Sequence, residues 1–73
     1  IDIQMYPNPA NTSFQLNSNY PIEQLNISNI NGKLIKIFNT NQLHYNIQDL
    51  ASGIYIVKVY SNKQTKTFKL IKD

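Results

Sequence analysis

Apolar and polar residues alternate along short stretches of this chain, and no window sustains the apolar repeat of a helix. Ile1, Ile3 and Met5 alternate with Asp2, Gln4 and Tyr6, and Pro7-Asn8-Pro9 then stops the strand, because proline cannot donate to a ladder. Phe14 and Leu16 alternate with Ser13, Gln15 and Asn17, and Asn17-Ser18-Asn19 with Pro21 forms a polar connection. Leu25 and Ile27 alternate with Gln24, Asn26 and Ser28. Asn31-Gly32 follows, a pair that predicts a type I′ hairpin turn with φ > 0 at both residues, and Leu34 to Phe38 is the returning strand. Leu43, Tyr45 and Ile47 alternate with His44, Asn46 and Gln48. Gly53 to Tyr60 and Thr65 to Ile71 complete the set, joined by a turn around Ser61-Asn62. Seven short strands of this kind predict an all-β fold, a seven-stranded antiparallel immunoglobulin-like β-sandwich with Greek-key connections.

The run from Asp49 to Tyr60 carries the most specific local signal. In immunoglobulin-like sandwiches a tyrosine near the start of the sixth strand turns its hydroxyl back to the backbone a few residues upstream. Tyr55 stands at that place, and Gly53 relieves the corner before it through φ > 0 or a close backbone approach. Leu50 is expected to plug the end of the core while Asp49 bonds the amides of the corner. Tyr55, Val57 and Val59 then face inward, and Ile54 and Ile56 share a partly covered outer face with Lys58.

Length and composition narrow the picture. A chain of 73 residues predicts one domain over residues 1–73, and a domain of this size buries only about 60% of the surface its unfolded chain exposes. With no cysteine, neither a disulfide nor a thiolate metal site is available. Nothing in the chain has the length and apolarity of a transmembrane segment or a signal peptide, and a start at Ile1 suggests a piece of a larger polypeptide.

The net charge of +3 comes from lysine alone. Lys58, Lys63, Lys66, Lys69 and Lys72 face only Asp73 over residues 58–73, whereas Lys33 and Lys36 against Asp2, Glu23 and Asp49 leave −1 over residues 1–57. The positive charge therefore belongs to the C-terminal end. Without arginine the chain lacks the bidentate fork that reads guanine, and A/T-rich codons account for an excess of Asn and Lys, so no nucleic-acid partner is expected.

Candidate chemistry is thin. The lone histidine, His44, sits in a strand-like run without the nucleophile and orienting carboxylate that general-base work needs. The acids Asp2, Glu23, Asp49 and Asp73 are scattered, which fits neither a paired-carboxylate hydrolase nor a calcium loop. No glycine-rich loop is present to cradle phosphate. No catalytic residue, metal site or cofactor is expected.

Several segments, taken in order, resemble one family. Tyr6-Pro7-Asn8-Pro9-Ala10 is similar to the opening of the type A C-terminal sorting domains of the type IX (Por) secretion system. Asn31-Gly32-Lys33-Leu34-Ile35 looks like that family's glycine-basic-apolar hairpin, and Leu50-Ala51-Ser52-Gly53-Ile54-Tyr55-Ile56-Val57-Lys58-Val59 resembles its LxxGxYxVxV block. Thr65 to Lys72 resembles its closing basic strand, and Asp73 departs from the basic or neutral ending typical of the family.

The resemblance implies a domain that serves as an address for an upstream cargo in the same polypeptide. Its implied partners are the outer-membrane translocation machinery and a sortase-like cysteine peptidase that cuts on its N-terminal side. The implied route runs through the periplasm to the cell surface or the medium of a Gram-negative bacterium. Within it, Lys66, Lys69, Lys72, Phe68 and Leu70 are the residues expected to be recognised. Pro7, Asn8, Pro9, Asn31, Gly32, Asp49, Leu50, Gly53, Tyr55 and Val57 are expected to hold the shape. Lysines at an exposed sheet edge also discourage edge-to-edge aggregation, which alone accounts for two or three of those in the last strand. A reading from another class is an immunoglobulin- or fibronectin-like accessory module of an extracellular protein, a spacer or a carbohydrate binder, with Tyr20, Tyr45 and Tyr60 as candidates for an aromatic platform.

Overall fold

The alternating stretches form strands throughout the computed structural model, which describes residues 2–73. Ile1, placed by its pattern at the head of the first strand, lies outside the described residues. The strands are β1 (Ile3–Tyr6), β2 (Ser13–Ser18), β3 (Ile22–Asn29), β4 (Leu34–Phe38), β5 (His44–Asn46), β6 (Gly53–Ser61) and β7 (Gln64–Lys72). They pair antiparallel in two sheets, ordered β1-β2-β5 and β4-β3-β6-β7, and the chain crosses between sheets after β2, β4 and β5. No helix occurs among the described residues, so no helix is long and apolar enough to cross a membrane.

The inner faces meet in one core of Ile3, Phe14, Leu25, Ile27, Tyr45, Ile47, Val57, Val59 and Leu70, with Ala10, Ile22 and Tyr55 at its margins. Alternation puts these side chains on one face of each strand, and their burial is the main drive for the fold. Tyr45 stacks on Phe14 with ring centroids 5.4 Å apart and takes the edge of Phe38 at 5.2 Å. These contacts join the two sheets, since Phe38 belongs to β4 and the other two to β2 and β5.

Three expectations are corrected. Leu43 alternates with Tyr45 and Ile47 in sequence, yet it is exposed, because β5 begins only at His44 and the Gln42 side chain bonds the His44 carbonyl across the bend. Tyr45, a candidate for a sugar platform, is fully buried and unavailable to a ligand. The Asn31-Gly32 turn is not type I′. The Gly32 amide donates to the Asn29 carbonyl and the Asn29 amide to the Lys33 carbonyl, so the loop has three residues and positive φ (+87°) falls on Gly32 alone. The Asn29 side-chain oxygen enforces that shape by accepting from the amides of Asn31 and Lys33. The left-handed pair lies instead at Asn62 (φ 50°) and Lys63 (φ 61°), closing the β6–β7 hairpin between Ser61 and Gln64.

Candidate functional site

The last two strands and the segment before β2 form the region where the motif residues converge. β6 starts from a corner built by its own sequence. Gly53 has φ +154°, a backbone region that side chains with Cβ rarely adopt, and a Cβ there would touch nothing within 4 Å. Of the two reasons for a glycine, conformation is therefore the operative one. The Tyr55 hydroxyl donates to the Ala51 carbonyl at 2.7 Å, which makes the tyrosine corner. Leu50 packs partly buried against the core, and Val57 is fully buried.

Asp49 does something other than bond the corner amides. Both of its oxygens accept from Lys36 Nζ, at 2.8 and 2.9 Å, so the corner is tied across to β4. The Lys36 hydrogen bond lies behind a carboxyl pKa held below its ordinary value, with the Asp49 amide adding a lesser pull. The Lys36 side chain is mostly covered but Asp49 stands largely in water, and a pair open to solvent on its acidic side is worth little to stability. Among the described residues the buried Tyr45 hydroxyl has no hydrogen-bond partner, and burial raises its pKa.

β7 is the outside strand of its sheet, and its register with β6 decides where each predicted recognition residue points. Val59 opposes Lys66, Val57 opposes Phe68, Tyr55 opposes Leu70 and Gly53 opposes Lys72, so these four β7 residues share the inner face. Leu70 is fully buried and Phe68 partly so. Lys66 reaches over the Phe68 ring, 5.3 Å from its centroid, and donates to the Ile3 carbonyl at 2.9 Å. Lys72 is buried to 8% exposure and donates to the Asp73 carbonyl. Only Lys69 stands exposed on the outer face, opposite Ile56. The lysines of the last strand therefore do not make one patch. Two of them point inward, a device that blunts edge strands, and the expectation of freely exposed amines holds for Lys69 alone.

Sequence reasoning missed the role of Pro7-Asn8-Pro9-Ala10. The segment stops β1, as expected, and then lies along the outer edge of β7. The Asn8 carboxamide imitates a peptide group: its nitrogen donates to the Lys69 carbonyl at 2.7 Å and its oxygen accepts from the Ile71 amide at 2.9 Å. Ala10, fully buried, continues the pairing as a parallel bridge to Lys72, with its amide on the Ile71 carbonyl and its carbonyl on the Asp73 amide. Two prolines flanking one asparagine are a sequence signal of an extended segment, but not of what that segment meets.

His44 is exposed on β5, and among the described residues no three of the His, Cys, Asp and Glu side chains gather to hold a metal ion. No curated protein matches the chain. The family model described as a secretion system C-terminal sorting domain matches residues 4–73, a span that includes the asparagine clasp, the tyrosine corner and the closing hairpin together. The chain belongs to that family, the C-terminal sorting domains of type IX secretion.

Proposed function

We propose that this chain is a non-catalytic address, one domain over residues 1–73, that takes an upstream cargo through the periplasm and across the outer membrane. A sortase-like cysteine peptidase then removes it by cutting on its N-terminal side. As a member of its family the chain is a sorting signal of type IX secretion, and such signals belong to secreted or cell-surface proteins. The observation that carries the fuller reading is the family match across both the clasp and the β6–β7 hairpin. An address must present a fixed shape, and those two elements hold one another.

Recognition of the closing strand belongs to the same proposal. Among Lys66, Lys69, Lys72, Phe68 and Leu70, Lys69 offers its amine to a partner of the folded domain, and the other four act by holding β7 in place. The test is a periplasm-targeted reporter fused upstream of residues 1–73 in a host that carries the type IX system. Export is expected, with Lys69→Gln lowering it while the domain stays folded. Retention of a folded parent fusion in the periplasm would overturn the reading.

A further inference from the structure

The outer face of the four-stranded sheet is unusually apolar for a surface. Antiparallel sheets of this kind commonly present polar side chains to water. Here Leu34, Ile37, Ile54, Ile56 and Ile71 are each between 36% and 47% exposed on that side, and nothing among the described residues covers them. Ile54 and Ile56, expected to be partly covered, are 44% and 36% exposed. Exposed apolar area gathered on one face marks an interaction surface.

A groove of about 420 Å³ runs along this face between the β3–β4 hairpin and β6. Ile30, Leu34 and Ile56 form its apolar walls, Tyr60 is at its end, and Lys58 is the one charged side chain that lines it. Register places Lys69 directly opposite Ile56, while Lys58 follows Ile56 two residues along the same face of β6. Ile56 is thus bracketed by two ammonium groups. Glu23, at the β3 bulge beyond Tyr60, is the single carboxylate in the four strands.

We infer that this face docks an acidic amphipathic segment of a partner protein, laid extended with an apolar side chain in the groove and carboxylates meeting Lys58 and Lys69. Charge selects the occupant. A second copy would bring the same lysines to an isologous interface, like against like. Anionic lipid anchoring draws on clusters of about four to eight basic residues, and this face has two. An acidic partner satisfies both lysines while covering the isoleucines. The claim stands on the face itself, apart from the sorting function.

The experiment titrates the chain with a blocked peptide of about six residues alternating Leu and Glu, followed by amide chemical shifts. Matched peptides carry Gln or Lys in place of Glu, and phosphatidylglycerol vesicles serve as the lipid arm. Shifts are expected at Leu34, Ile56 and Lys58, with binding about tenfold weaker for the Gln peptide and for Lys58→Glu, and weaker again at high salt. Ile56→Ser should weaken binding without changing the salt dependence. Equal binding of the Glu and Gln peptides, no binding of either, preference for vesicles, or self-association through this face would overturn it. Because reporter export by the parent chain is read separately, failure of peptide binding and failure of the sorting function are distinguishable.

Discussion

The two outside strands of the four-stranded sheet, β7 and β4, solve the same problem by different means. An outside strand presents unpaired amides and carbonyls, which invite other chains. β7 spans nine residues, and its outer backbone is taken by the Asn8 carboxamide and by Ala10, from a segment about sixty positions away. β4 spans five residues, carries a register shift against β3, and has no segment laid along it among the described residues. Both share one device, an inward lysine folded over the phenylalanine two positions later: Lys36 over Phe38 at 5.6 Å and Lys66 over Phe68 at 5.3 Å. Shortness and a bulge thus suffice to blunt a strand. The clasp on β7 therefore does more than prevent aggregation; it fixes the position of the last strand of the span that matches the family.

The two strands differ most in what they bury. Leu70 of β7 is fully buried, so Leu70→Ala should cost about 2–5 kcal/mol. Ile37→Ala on the exposed side of β4 should cost far less, and urea melts giving equal losses would mean that the two strands are equally anchored. Next in size is Gly53→Val, at the residue that opposes Lys72. It should cost about 1–3 kcal/mol chiefly through backbone conformation, since a Cβ there would meet nothing within 4 Å. An unchanged denaturation midpoint would remove the conformational reason for the glycine.

Asn8→Ala tests the clasp. Losing two hydrogen bonds at a solvent-facing edge should cost roughly 1–2 kcal/mol. It should also release the Ile71 amide to hydrogen exchange, while the amides of β4 keep their rates. An Ile71 amide as slow as in the parent would rule out the clasp. The smallest effect belongs to the open side, where Asp49→Asn removes the ion pair with Lys36. The folded carboxyl has a lowered pKa, so its contribution is present above the unfolded pKa and fades as pH falls through the folded one. The parent and Asp49→Asn stabilities should therefore converge in acid, and a gap that widens there would contradict the pairing.

Strands were the most legible level of this sequence, because alternation is a local property: all seven positions follow from it, and so does the shared face of Lys66, Phe68, Leu70 and Lys72. The expectation of exposed lysines overlooked the consequence of that face: with Phe68 and Leu70 in the core, Lys66 and Lys72 point inward as well. The tyrosine corner was equally local, since Tyr55 reaches only to Ala51. Turn chemistry misled where a side chain intervened. Asn29 converts the Asn31-Gly32 pair to a three-residue loop, and Lys63 adopts positive φ without any glycine to announce it. The clasp joins Asn8 to Lys69 and Ile71, and such a distant pairing leaves no periodic trace in one sequence. Asp49 reads as a partner of its own neighbours for the same reason, while its partner lies thirteen residues back on another strand.

The clasp also determines how the domain answers a pull. Asn8 to Ala10 runs parallel to Lys69 to Asp73, held by four hydrogen bonds. Tension that draws the chain before Asn8 away from Asp73 slides these two segments past one another, so the bonds are loaded in shear and must yield together. An antiparallel pair pulled from its open end unzips one bond at a time and resists less. A domain pulled from these two points would stay folded until the clasp slips. In single-molecule pulling, Asn8→Ala should lower the unfolding force more than its loss of equilibrium stability suggests, because forced opening follows the unfolding barrier.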